Sequence, residues 1–443
     1  MPIALADIHN QAPSFYFVGD DISTAQNVAL DPDWKVEDVK RAVGGILHVA
    51  QPLGITFHAE NGPELTTVDE ILNTFAESPI GLRVDGQAVQ SPQGPEGLPL
   101  VRSFYEIFPD HLGNHYRLFR KYGHLIRTTN MGKTTYLTDS LEVAAVALAE
   151  SAYMTKKINE NHPLWGVKDN TAIFVGDTET ENWRLAHKFL PPAMGLKAVR
   201  HYTPLMQECA RRSFAVFDEL DSQDQSWNVH QYMVKLASQT IGKFSLGTDF
   251  EHFTSIDAPL HPIVTNIASL LSRNKKVTAR GEWYRHLPFG DPARLKQGSG
   301  IAGMPMVEAA VNASWVVDYL LNTVDETGQE FPEGLILANM LIVTGAGFTT
   351  TSALMSWLIY CLVNYEGTQE RLYEELCANG IANSKEPVEW SPELAHGLPY
   401  LDSFVKETQR LHNAFFQPGR TKKTEVILPG GYRLPENSVM SPR

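Results

Sequence analysis

From Leu335 to Val363 the chain reads LILANMLIVTGAGFTTTSALMSWLIYCLV, without one charged side chain. Such a run is long enough to cross a bilayer core of about 30 Å. Its middle argues for a different environment. Thr344, Gly345, Gly347, Thr349, Thr350, Thr351 and Ser352 put hydroxyls and absent side chains where a lipid-facing helix carries Leu and Val. The pattern predicts one long helix that is the buried axis of a globular protein and passes a ligand at its midpoint. Ala346 and Thr350 lie at i, i+4, and Gly347 and Thr350 at i, i+3, so the three share a face. Small residues there fit either a groove for a ligand or a close crossing of a second helix. A Thr hydroxyl can also bond the carbonyl four residues back.

The first part of the chain has a different rhythm. Ser14 to Val18 and Thr24 to Leu30 read as a hairpin, and Gly54 to His58 and Ile80 to Val84 as further strands. Between them Val36, Val39, Val43 and Leu47 recur at helical spacing, with Asp33 as the expected cap. Hairpin, helix, strand, short helix and strand is the order of a small α/β unit of β-grasp type. The Pro- and Gly-rich stretch QAVQSPQGPEGLP, residues 87 to 99, then marks a boundary. The expected division is residues 1–88 and 89–443. The first unit shows no catalytic residues and reads as a docking module or an inert spacer.

Beyond the boundary the periodicity is mostly helical. Amphipathic helices are predicted over 111–122, 141–151, 181–190, 198–220, 229–246, 261–272 and 401–412. Two hairpins interrupt them, one over 125–137 turning at Asn130, Met131 and Gly132, the other over 424–434 turning at Pro429, Gly430 and Gly431.

Composition narrows the function classes. With 443 residues and a net charge of -14, the chain exceeds a single ordinary core and is a poor match for nucleic acid or an anionic membrane surface. The first residues, MPIALADIHNQAPSFYF, lack a basic region followed by an apolar run, so no signal peptide or membrane anchor is expected there. Cys209, Cys361 and Cys377 are odd in number and far apart, which fits a reducing cytoplasm and no disulfide framework.

Two further segments carry candidate chemistry. In ETENWRLAHKFLPPAM, Trp183 and His187 stand at i, i+4, so an indole donor and an imidazole project from one helix face beside Arg184. That face can hold an anion or be ordinary packing. In the last long helix Glu407 and Arg410 are three apart, the spacing of an ion pair.

In order, Gly94-Pro95-Glu96-Gly97-Leu98-Pro99, Trp183 to His187, Ala346-Gly347 with Thr350, Glu407 with Arg410, and Pro418-Gly419-Arg420 resemble the cytochrome P-450 family. The resemblance covers about residues 90 to 443 and is nearest the soluble fatty-acid hydroxylase branch, including members fused to a reductase. It implies a mainly α fold with small β-sheets, a haem cofactor, O2 and an apolar substrate. It also implies electrons from an NADPH-dependent reductase, separate or fused. By the same resemblance Ala346 and Gly347 leave room for oxygen and Thr350 helps deliver protons. Trp183, His187 and Arg420 pair with the haem propionates, and Glu407 with Arg410 braces the haem-binding core.

Three departures follow. Thr349 stands where the family commonly has an acidic residue before the oxygen-site Thr, which weakens the proton route. After Asp291-Pro292-Ala293-Arg294, the run KQGSGIAGMP breaks the period of the helix that would cover the substrate. The family's iron ligand is a Cys in a Gly-rich loop beyond the Glu407/Arg410 helix, and no Cys follows Arg410. The resulting expectation is an incomplete P-450-like domain without its iron ligand, inactive as it stands. The competing function is a non-catalytic protein of the same fold that binds a partner.

Overall fold

The computed structural model describes residues 12–442 apart from 32, 61, 109, 150–152, 163, 166–171, 174, 224–225, 281, 294–315, 323–324, 385–387 and 413–418. These form two compact units. One is drawn from residues 1–165, 278–285 and 417–443, the other from 166–277 and 286–416.

The first unit opens with β1 (Ser14–Phe17), β2 (Gln26–Asn27), α1 (Val36–Ile46), β3 (Ile55–His58), β4 (Glu64–Leu65), α2 (Val68–Phe75) and β5 (Ile80–Val84). Their sheet has the order β2-β1-β5-β3-β4, with β1 parallel to β5 and the other pairs antiparallel. Alternation along β1 buries Phe15 and Phe17 against Val39 and Val43 of α1. The predicted cap at Asp33 is replaced: Lys35 is the cap, and the Asp38 carboxylate three residues on accepts its backbone N–H at 3.2 Å. The expected second hairpin arm is also shorter. The Asp21 side chain accepts from Ser23 N, closing a 3-10 turn over Ile22–Thr24 in place of ladder bonds.

The unit continues through α3 (His111–Tyr122), β6 (Leu125–Asn130), β7 (Lys133–Thr138), α4 (Leu141–Leu148) and β8 (Met154–Thr155). The last residues add β9 (Arg420–Lys422), β10 (Val426–Leu428), β11 (Tyr432–Leu434) and β12 (Val439–Pro442). A second sheet runs β6-β7-β12-β9-β8, and β10 pairs with β11 as the predicted hairpin. Ile427 of that hairpin enters the core of the first sheet, and Ala50 N bonds its carbonyl at 2.9 Å.

The second unit is helical: α5 (Glu181–Phe189), α6 (Leu196–Ser222), α7 (Val229–Ile241), most of α8 (Pro262–Ala279), α9 (Glu333–Asn364), α10 (Thr368–Ala378) and α11 (Pro399–Leu411). The long uncharged run is α9. It is long and apolar enough to cross a membrane, with a mean hydropathy of 1.4. Yet Asn339, Thr344 and Ser352 on it are buried in protein, and the Asn339 side chain bonds Leu335 O and Ile173 N. α7 lies across it, and Met340, Val343 and Phe348 share a core with Ala237 and Ile241. The stretch expected to cover the substrate, 296–305, lies outside the described residues.

Past α7 the chain is locked by His252, which is fully buried. Its Nδ1 lies 3.1 Å from Lys235 O, and its Nε2 accepts the His261 backbone N–H at 3.0 Å. A protonated ring would set two N–H groups against each other at Nε2. Burial, aided by the charges of His261 and Lys235, holds the imidazole below its ordinary value, although the hydrogen bond to Lys235 O and the Asp249 carboxylate pull the other way. The folded state therefore binds fewer protons than the unfolded chain below the unfolded value of 6.5. Stability is fully present above that pH and is lost as pH falls below it. His162, pushed down to about 4, acts in the same direction. The urea midpoint is expected to fall from pH 7 to pH 5 (about 1.4 kcal/mol per pH unit for one proton). His252→Gln should flatten that slope by up to one proton, and an unchanged slope would exclude His252 from it.

Candidate functional site

The midpoint of α9 is built from hydroxyls folded back onto their own helix. Thr350 Oγ1 donates to Ala346 O at 2.8 Å, and Thr349 Oγ1 to Gly345 O at 2.7 Å. The two open alternatives, groove and helix crossing, divide between faces. A Cβ on Gly347 would stand 2.7 Å from Ile241 Cδ1 and Cγ1, and one on Gly345 would stand 2.8 Å from Ile267 Cγ2. Both glycines thus serve the approach of α7 and α8, so Gly347 does not leave open room as expected. Ala346, Thr349, Thr350 and Ala353 lie about a turn apart on the neighbouring stripe and are half-buried. That stripe is where a flat ligand could lie against the helix, with two hydroxyls, Thr349 Oγ1 and Thr350 Oγ1, each able to exchange its carbonyl for a new partner.

On α5 the spacing does what the sequence implied. The Thr180 hydroxyl caps the helix by accepting from Trp183 N, which puts Trp183 in the first turn and His187 one turn later. The two rings stack with centroids 3.8 Å apart. His187 Nδ1 donates to Trp183 O at 2.9 Å, since a carbonyl can only accept. Trp183 Nε1 is buried and has no hydrogen-bond partner among the described residues. An orphaned donor of this kind costs about 1–3 kcal/mol and calls for an acceptor. A carboxylate seated on this face would satisfy it, so the residues present fit a haem propionate. Arg184 is turned away and pairs with Glu181 at 2.8 Å.

Arg420 lies in the first unit, at the start of β9. β8 pairs with β9 in the register Met154↔Lys422 and Thr155↔Thr421, which brings Lys156 opposite Arg420. Burial and the Arg420 charge push the Lys156 ammonium down to about 8. Burial also lowers Arg420 itself. His162 completes the cluster: Nε2 donates to Gly419 O at 3.4 Å, and Nδ1 accepts from Leu164 N. Crowded, half-buried cations are relieved by an anion. Lys156 and His162 escaped the sequence reading because only strand pairing across more than 250 residues brings them to Arg420. Pro418 lies outside the described residues.

Glu407 and Arg410 do pair, Nε to Oε2 at 2.7 Å and Nη2 to Oε1 at 2.6 Å. Both side chains are more than half exposed on α11, and Arg410 holds the Glu407 carboxyl below its ordinary value. Among the described residues no group of His, Cys, Asp and Glu is arranged to hold a metal ion. Cys209 and Cys361 are buried in α6 and α9, and Cys377 is half-buried on α10.

Compared with known proteins, the chain matches the cytochrome P450 family over residues 92–298 and 308–442. It is 41% identical over 450 residues to the cytochrome P450 monooxygenase alnD of Emericella nidulans, covering 97% of this chain and 80% of that protein. It is 25% identical to the bifunctional cytochrome P450/NADPH–P450 reductase ascE of Acremonium egyptiacum, over 77% of this chain and 33% of that one. To the bifunctional cytochrome P450/NADPH–P450 reductase of Fusarium oxysporum it is 23% identical, over 78% of this chain and 33% of that protein.

Proposed function

This chain belongs to the cytochrome P450 family, and from that premise we propose that it hydroxylates an apolar organic substrate, a fatty acid being the first candidate. The reaction uses O2 and electrons that an NADPH-dependent reductase supplies. The observation that carries the proposal is Trp183 Nε1, a buried donor whose missing partner is the acceptor that a haem propionate provides. Relatives with a reductase in the same chain support the electron source.

Haem in this family binds and activates oxygen through its iron, and a thiolate ligand supplies the electron density for O–O cleavage. The chain's own contributions are these. Trp183 Nε1 and His187 on α5 would hold a propionate, and in the first unit Arg420, with Lys156 beside it, would offer positive charge to one. Ala346 keeps its stripe of α9 low enough for a planar group. Thr350 Oγ1 holds a proton at the same stripe and can release Ala346 O to donate it. Thr349 adds a second hydroxyl in place of a carboxylate, so proton delivery rests on hydroxyls and water. Glu407 with Arg410 is assigned to bracing the haem-binding core.

The thiolate is the unfilled role. Cys209, Cys361 and Cys377 all precede the Glu407/Arg410 helix, whereas the ligand loop of the family follows it. We therefore assign activity to a chain that also carries a Cys-bearing loop, and inactivity to these 443 residues alone. Residues 1–88 lie outside the family match, and their 2-1-5-3-4 sheet, with α1 and the short α2 packed on its core, supports a β-grasp-like docking module. Three free thiols support a cytoplasmic location. The buried polar residues of α9 support its being no membrane anchor.

Haemin titration of the 443-residue protein tests the assignment without requiring turnover. Trp183→Phe keeps the ring stack and removes the donor, and is expected to weaken haemin binding about tenfold, as the loss of one charge-assisted hydrogen bond does. Equal affinity of the variant and the parent would remove Trp183 from the cofactor site.

A further inference from the structure

A cavity of about 330 Å³ opens in the first unit, among β1, β2, the C-terminal end of α1 and the β10–β11 hairpin. Its size is that of a small-molecule site. None of the residues assigned above to cofactor or oxygen lines it.

Arg433 in the lining is engaged on most sides. Its two terminal nitrogens bond the two carboxylate oxygens of Asp20, one of them at 2.8 Å. The Phe17 ring lies against the guanidinium, with its centroid 5.7 Å away, so that ring is taken as well. The third nitrogen is not. Nε is buried and has no hydrogen-bond partner among the described residues. Glu425 Oε1 stands 3.4 Å from it, an ion-pair contact that makes no hydrogen bond. A donor and an acceptor are thus held side by side without satisfying each other, and a buried donor in that state calls for an acceptor. The apolar wall left open is the end of α1, where Ile46 is exposed and Leu47 half-buried.

Charge decides what kind of acceptor fits. Asp20 and Glu425 outnumber the one guanidinium of the lining, so an anionic ligand meets a net negative wall. An organic cation brings no acceptor for Nε. A primary carboxamide is uncharged and carries an acceptor oxygen and an N–H donor on the same side of one planar group, so it can take the Nε hydrogen and donate to Glu425 together. We propose that this cavity binds a primary carboxamide on a small apolar body, with its carbonyl oxygen on Arg433 Nε, its N–H on the Glu425 carboxylate and its body against Ile46 and Leu47. The site stands apart from the monooxygenase proposal and does not rest on it.

The test is calorimetric titration of the 443-residue protein with benzamide, alongside three probes of the same shape: acetophenone, which keeps the acceptor and lacks the N–H, benzamidinium, which lacks the acceptor, and benzoate, which adds a negative charge. Saturable binding of benzamide is expected, about tenfold tighter than acetophenone, with benzamidinium and benzoate weaker than benzamide. Glu425→Ala is expected to bring benzamide down to the acetophenone level and to leave acetophenone itself unchanged. That side chain is 56% exposed, so the variant should keep the parent's unfolding midpoint. Ile46→Asp, also at an exposed position, is expected to weaken benzamide and acetophenone alike. Three results would each overturn the site: no saturable benzamide binding up to about 10 mM, benzamidinium or benzoate binding as tightly as benzamide, or an unaltered benzamide affinity in Glu425→Ala.

Discussion

Gly94→Ala is expected to destabilise the protein by about 3 kcal/mol or more. A Cβ at this position would stand 1.7 Å from Arg127 O and 2.8 Å from Arg127 C. Neither atom can step aside as the end of a side chain does. Arg127 lies within β6, paired with Tyr136 of β7, and its own N–H donates to Gln93 O at 2.8 Å. The methyl group must therefore either displace a strand or peel away the segment that leads into Gly94-Pro95-Glu96-Gly97. Gly97 is constrained a second way, by a φ of +72° and a Cβ position 2.1 Å from Arg102 C. Gly45→Ala is the matched control. It lies in α1 with nothing within 4 Å of its Cβ position, so alanine there should be neutral or stabilising by up to about 1 kcal/mol. Denaturant midpoints of the three proteins read the contrast directly. A Gly94→Ala midpoint equal to that of the parent would mean that the 93–97 segment does not lie on β6.

The Gly94 result also shows which parts of the molecule a linear reading reaches. The motif around Gly94 was visible in the sequence as punctuation. The reason for it, a backbone carbonyl from a strand thirty-odd residues on, was not. The same division runs through the rest. α1, α3, α5 and α9 were legible because each repeats its apolar or uncharged pattern within its own length. The Trp183/His187 stack was legible because one helical turn sets it. Lys156 beside Arg420 was illegible, being a product of β8–β9 pairing between distant segments. The small residues of α9 were legible as small. That Gly345 and Gly347 seat Ile267 and Ile241, while Ala346 and Thr350 keep the half-buried stripe, depends on where two other helices cross. The Asp33 cap failed because another acidic residue, Asp38, sits at the third helical position and satisfies the backbone from inside the helix.

No Cys follows Arg410 in these 443 residues, and on the proposed reading these residues by themselves are expected to show no hydroxylase activity. In the proposed holoprotein a bound haem would contribute packing contact as well as chemistry. The roles proposed for Trp183 and His187 on α5, and for Arg420 in the first unit, concern propionates, and none of these side chains carries sulfur for iron. Haem held by its edge alone is expected to show neither the oxygen chemistry nor the spectrum of the family. Joining a Gly-rich, Cys-bearing loop after residue 443 should restore both, and Thr350→Ala in that longer chain should then lower hydroxylation per electron consumed while leaving the spectrum unchanged.

The reduced carbon monoxide difference spectrum, recorded on the 443-residue protein and on the chain extended by a Cys-bearing loop, tests the central claim most directly. The account predicts a thiolate-type Soret band from the extended chain and none from the shorter one. A thiolate-type band from the 443 residues alone would contradict the assignment of the ligand, and no band from either protein would contradict the monooxygenase function and leave a partner-binding role in its place.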